Sequence, residues 1–155
     1  YGEDMRPQAV ANMLMENYGS ICRSAGLRIT PQRTGIYRIL AASDAHPSAE
    51  AVWAEIRQSM SNVSLDTVYR TFRLFEKLGL LKRVDTGLER ARYDADMGEH
   101  HHFTCIKCGA IIDFRLEGTE MVRLPEEAFR LGAAKSVCID VKGICSACGM
   151  ADAAK

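Results

Sequence analysis

Glu99-His100-His101-His102-Phe103-Thr104-Cys105-Ile106-Lys107-Cys108-Gly109 decides how the rest of the chain is read. Three of the four histidines and two of the six cysteines fall between His100 and Cys108. Imidazole and thiolate are the usual protein ligands of borderline and soft transition metals. The pair Cys105 and Cys108 recurs as Cys145 and Cys148 in Cys145-Ser146-Ala147-Cys148. Two Cys-x-x-Cys pairs supply four thiolates, the closed tetrahedral set of a structural Zn(2+). Thiol redox chemistry and unlinked core cysteines are the competing explanations. The histidines lie just ahead of this knuckle. In an extended strand His100 and His102 project to one face, Glu99 and His101 to the other. A return strand through Ile111-Ile112-Asp113-Phe114, mirrored about the knuckle, sets Asp113 opposite His100 and adds a carboxylate to the imidazole pair. A tag remnant or a solvated cluster is the competing explanation of the three histidines, but tags sit at termini and this run is internal.

Beyond this stretch, residues 118–131 read as weakly helical, and Pro125 must bend the helix or begin a second segment. Ser136 to Ile144 alternates as a strand leading to Cys145. The zinc would thus close a long loop holding a helix and a strand. Cys138 has no local partner and reads as a packed thiol, and Cys22 reads as core.

Before it, Ala95-Asp96-Met97-Gly98 has no periodicity and contains glycine. Residues 95–98 therefore read as a hinge between a domain at 1–94 and a second at 99–155. In the first, residues 8–25 carry Val10, Met13, Leu14, Tyr18, Ile21 and Cys22 at amphipathic spacing, ending at Gly26. Thr30 caps a helix with Pro31 at its first position and a stripe of Ile36, Ile39 and Leu40. Pro47 keeps His46 in a loop, where a lone histidine is most simply solvated, and Ser48 caps a third helix with Ala51, Val52, Trp53 and Ile56 inward. Ser64 caps a fourth, Leu65 to about Leu78, whose inner stripe is Leu65, Val68, Phe72, Phe75 and Leu78. Arg70, Arg73 and Lys77 form one cationic face on this helix, with Thr67 near its N-terminus. A helix, a short turn and a polar, basic second helix is the arrangement that reads a major groove. Leu80 to Val84 and Arg90 to Asp94 then read as two strands around the turn at 85–89, a wing. Its Lys82, Arg83, Arg90 and Arg92 are candidates for phosphate contacts. The fold class is α+β: an N-terminal winged helix-turn-helix domain followed by a C-terminal α/β domain with a four-cysteine zinc site.

Composition sets the outer bounds. The chain has 155 residues, 47% hydrophobic and 26% charged, enough for two small domains with real cores. Zero formal net charge excludes nucleic-acid binding by bulk charge alone, but a local basic face is still allowed. No run is long enough for a membrane span and no signal peptide is evident, so a cytoplasmic protein with no membrane partner is expected. In that reducing setting metal thiolates are favoured over disulfides.

Thr30-Pro31-Gln32-Arg33, Ala45-His46-Pro47-Ser48, Thr67-Val68-Tyr69-Arg70, the His100-x-His102-x-x-Cys105-x-x-Cys108-Gly109 block and Cys145-x-x-Cys148 occur in this order. In these motifs the chain resembles the ferric uptake regulator family over nearly its whole length. The resemblance implies a homodimeric, metal-activated transcriptional repressor, not an enzyme, that binds double-stranded palindromic operator DNA. It makes the C-terminal domain the dimerisation domain. It also implies an interdomain regulatory metal site on His46, Asp94, His100, His102 and Asp113. Nitrogen and carboxylate donors suit Fe(2+) or Mn(2+), with Zn(2+) able to substitute. Tyr69 and Arg70 are implied to face the groove. Asp94 and Asp113, where iron-sensing members often carry Glu, resemble the peroxide-responsive branch. Arg70 resembles the iron-responsive one. A weak additional site is left with Glu99, His101 and Glu120, because no histidine follows His102. Two readings from other classes stay open: a non-haem metalloenzyme using the His/Asp set, and a metal-storage or thiol-exchange module.

Overall fold

The computed structural model describes residues 5–84, 87, 90–116, 124–133 and 135–153. Glu120, residues 118–123 of the expected helix, and the wing turn at 85–89 apart from Gly87 lie outside them. The chain divides into two compact units, Tyr1–Met97 and Gly98–Lys155.

In the first unit α1 (Gln8–Ser24), α2 (Pro31–Ala42), α3 (Ala49–Ser59) and α4 (Leu65–Lys77) precede a hairpin of β1 (Lys82–Val84) and β2 (Arg92–Asp94). Helix starts follow the capping residues. Thr30 accepts from the Arg33 amide, Ser48 from Ala51 and Ser64 from Thr67. Each such cap satisfies an orphan N–H and contributes about 1 kcal/mol. The helices bury one core. Tyr18 stacks on Tyr37 at 4.7 Å, Phe75 meets both edge-on, and Phe72 meets Tyr93 of β2 at 4.6 Å. Cys22 is fully buried within this core. Two inward assignments shift. On α3 Ala49 is buried and Ala51 exposed, and on α1 Met13 is exposed. Ala49 lies just past the Ser48 cap, and with Val52 and Ile56 it completes the three-and-four spacing that Ala51 breaks.

In the second unit β3 (His101–Cys105) is the centre of a three-stranded sheet, antiparallel to β4 (Ile111–Phe114) and parallel to β5 (Asp140–Gly143). The helices α5 (Glu126–Leu131) and α6 (Ser146–Ala153) complete it. β5 is shorter than the alternation from Ser136 predicts, and Cys138 is exposed instead of packed, because it lies ahead of the paired residues. Gly143 is needed where it stands: a Cβ there would come within 3.0 Å of the Phe103 ring on β3. Among the described residues no helix is long and apolar enough to cross a membrane.

Candidate metal centres and nucleic-acid interface

β3 ends at Cys105, and Cys108 follows in a turn that Gly109 closes at φ +73°. Cys145 precedes α6, whose first turn carries Cys148. The four sulfurs all lie within 4.8 Å of one another, with Cys108 Sγ and Cys145 Sγ 3.8 Å apart. Tetrahedral zinc, with bonds of about 2.3 Å, asks for sulfurs roughly 3.8 Å apart. The residues present fit the ion. All six cysteines are unbridged. Amide N–H groups, first that of Cys145, point at Cys105 and lower its thiol to about 6. The sulfurs of Cys145 and Cys108 push Cys148 up to about 12.

The second donor set of this unit gathers His100, just ahead of β3, His102 on β3 and Asp113 on β4. His100 Nε2 and His102 Nε2 lie 3.1 Å apart, with Asp113 Oδ2 3.8 Å from the former and Oδ1 3.6 Å from the latter. His100 Nδ1 donates to the Gly98 carbonyl at 2.9 Å, which leaves the Nε2 lone pair aimed at the cluster. Asp113 is opposite His102 in the ladder, not His100. Cys105 N–H bonds the Ala110 carbonyl, so the loop runs from Ile106 to Gly109. The left-handed Gly109 belongs to the turn, which moves the mirror point one residue on. The carboxylate stays on the imidazole face because the shift is two positions along β3.

In the first unit, His46 Nε2 is 3.8 Å from Asp94 Oδ2. His46 has φ +50°, a left-handed conformation uncommon for a side-chain-bearing residue. The guanidinium of Arg92 fixes it, donating from Nε to the His46 carbonyl and from Nη2 to the Ala45 carbonyl at 2.7 Å. Arg92 is thus a clamp on this loop, its Nε and Nη2 spent on backbone carbonyls. No local pattern signals this role, since the partners are 46 and 47 positions away. Asp94 also takes Arg6 Nη2 at 3.2 Å, Lys82 Nζ at 3.3 Å and the Asp96 amide at 2.8 Å. Lys82 pairs across the hairpin with Asp94, which turns its amine toward the carboxylate.

The additional site is not assembled from the described residues. His101 Nδ1 accepts from the Ile139 amide at 3.3 Å, and its ring packs on Phe114. That bond uses the lone pair a metal would need. No metal-binding cluster among the described residues contains Glu99 or His101, and Glu120 lies outside them.

On α4, Arg70, Arg73 and Lys77 are exposed, as are Arg83 and Arg90 of the wing. Arg70 pairs with Asp66 at 2.9 Å in water, an exchangeable contact of little strength. Thr67 bonds Ser64 Oγ at 2.9 Å. Tyr69 donates its hydroxyl to Glu50 Oε1 at 2.6 Å and so holds that carboxyl below its usual range. A groove beside α4 is lined by Thr30, Gln32, Arg33, Thr67, Arg70 and Thr71. The N-terminus of α2 and Arg70 of α4 therefore share one concave surface that also carries Arg33.

The model of the ferric uptake regulator family matches residues 24–132. A peroxide-responsive repressor PerR of Staphylococcus aureus is 31% identical over 142 residues, covering 91% of this chain and 95% of that one. The fold matches a Helicobacter pylori ferric uptake regulator with three functional metal-binding sites, at TM-score 0.68 and 24% identity over 96% of this chain and 97% of the other. A zinc-bound manganese uptake regulator aligns at TM-score 0.60 and 29% identity, covering 82% and 97%.

Proposed function

Because this chain belongs to the ferric uptake regulator family and is a metalloregulatory repressor, not an enzyme, we propose that it is a peroxide-responsive member. The observation that carries the reading is the donor set: His100, His102 and Asp113 converge with nitrogen and oxygen atoms and no thiolate. Such a set suits Fe(2+) or Mn(2+) and tolerates Zn(2+). The resemblance to the Staphylococcus aureus peroxide-responsive repressor favours that branch. An iron-responsive repressor is the second reading, favoured by Arg70 in Thr67-Val68-Tyr69-Arg70.

His46 and Asp94 are taken as the donors that the DNA-binding unit adds to His100, His102 and Asp113. The Cys105, Cys108, Cys145 and Cys148 cage is taken to hold Zn(2+). Ligands drawn from two units convert ion occupancy into one favoured setting of the recognition helices. Operator affinity and metal affinity then rise together, reciprocally. Family members bind operator DNA as dimers, and we read the operator as a palindrome whose half-sites meet two copies of α4. Thr67, Tyr69 and Arg70 are assigned to base edges, Arg73, Lys77, Arg83 and Arg90 to phosphates. Lys82 contributes there only if it leaves Asp94. Fe(2+) held by these residues would supply a one-electron route that splits peroxide and would be restored over the cycle, with peroxide as the two-electron oxidant and the imidazole as the group oxidised. The net change is one oxygen atom added to a ligand imidazole and one water released, after which the ring no longer fits its role.

Two measurements test this. Fe(2+)-loaded protein should lose salt-sensitive operator binding on peroxide treatment and gain one oxygen on a peptide holding His46 or His100 to His102, while the Mn(2+) form keeps both unchanged. Equal behaviour of the two forms would remove peroxide sensing and leave the iron-responsive reading. Arg92→Met frees the His46 loop, so Mn(2+) affinity should fall about tenfold or more by titration, the usual effect of losing an outer-shell partner. An unaltered affinity would show that the loop keeps its shape without the clamp.

A further inference from the structure

Among the described residues Asp94 is the most enclosed carboxylate of the first unit, its side chain 0% exposed. Its Oδ1 receives Arg6 Nη2 at 3.2 Å and the Asp96 amide at 2.8 Å, and its Oδ2 faces Lys82 Nζ at 3.3 Å and His46 Nε2 at 3.8 Å. Arg6 comes from 88 positions away and is itself buried, its side chain 4% exposed. Its Nε donates to Asp44 Oδ1 at 2.7 Å, its main-chain N–H bonds the Ala42 carbonyl at 2.7 Å, and Met5 bridges Ser43. The segment ahead of α1 is thus strapped to the end of α2 by its backbone and delivers one guanidinium to Asp94. A buried carboxylate without a counter-charge is strongly disfavoured, and Arg6 with Lys82 supplies that charge without any ion.

We propose that Arg6 is a built-in counterion competing with the regulatory metal for Asp94, so that ion binding and docking of the segment around Arg6 oppose one another. This rests on the assignment of Asp94 as a ligand of that ion. A divalent cation bonded to the same carboxylate brings two like charges close together where water does not screen them. With Arg6 on Oδ1 and the ion on Oδ2, two cations share one buried carboxylate and each weakens the other's hold on it. Arg6 is therefore an affinity-setting residue for the metal, and the N-terminal strap reports ion occupancy.

The test uses the full chain with its zinc retained and Mn(2+) as the probe. In the wild type, hydrogen exchange of the peptide holding Arg6 should speed up on Mn(2+) addition, since the Arg6 amide loses the Ala42 carbonyl. Arg6→Met should bind Mn(2+) about tenfold more tightly, the scale of an outer-shell change. Asp44→Asn, which loosens the second anchor while leaving both groups at Asp94, should bind more tightly by a smaller factor. Asp94→Asn separates the two ideas. If it leaves Mn(2+) binding intact, the ligand assignment fails and the competition with it. If it weakens binding while Arg6→Met stays within about twofold of wild type and exchange is unaltered, only the competition is overturned. Should Arg6→Met not fold, the exchange experiment on the wild type decides alone.

Discussion

Cys105→Ser is expected to unfold the C-terminal unit and release its zinc, the largest effect of any single substitution considered. Structural zinc contributes about 10–16 kcal/mol to folding small sites, as much as the whole stability of an ordinary domain. Among the described residues the second unit has no apolar core comparable to that of the first. Of its hydrophobic side chains, Ile106, Phe129, Leu131, Ile144 and Met150 are more than half exposed in the single chain, whereas the large apolar core belongs to the first unit. Cys105 is buried and takes the Cys145 amide on its sulfur, so a hydroxyl there loses both the ion and the anchor of the loop closed by Cys145. Zinc content per chain, circular dichroism and sedimentation read the outcome, with Cys138→Ser as the neutral control. A Cys105→Ser protein that keeps one zinc per chain and the wild-type melting temperature would refute the staple.

His102→Ala comes second and acts without unfolding. It removes a central imidazole of the proposed sensor set, 3.1 Å from its neighbour and opposite Asp113. Loss of outer-shell partners alone costs 10–100-fold in metal affinity, so loss of a ligand is expected to cost about 100-fold or more. Operator affinity should then become independent of added Mn(2+), while zinc content and helical signal stay at wild-type levels. Metal-dependent operator binding that persists in His102→Ala would count against this site as the sensor.

The parts of the molecule governed by neighbours in sequence are legible without the structure. Thr30, Ser48 and Ser64 are local caps, and each does start its helix. The inner stripe of α4 is equally readable, with Val68, Phe72 and Phe75 buried. Both cysteine pairs and the imidazole face of β3 follow from spacing. The register error comes from one backbone conformation, the left-handed Gly109, which no count of alternating residues reveals. Arg92 and Lys82 pass for wing cations aimed at phosphate because their partners, the 45–46 loop and Asp94, are set by tertiary approach. Arg6 escapes notice for the same reason, being 38 and 88 positions from the carboxylates it serves. Long-range ion pairs leave no periodic mark on a sequence.

His102 and Cys105 are borne by one five-residue strand, β3. An oxidant that opens the thiolate cage would also slacken the mounting of the imidazoles, so on the proposed peroxide-sensing reading two chemically distinct insults would converge on the same loss of gene silencing. A de-repression assay alone would confuse them. Assaying released zinc beside oxygen uptake on histidine tells which of the two struck.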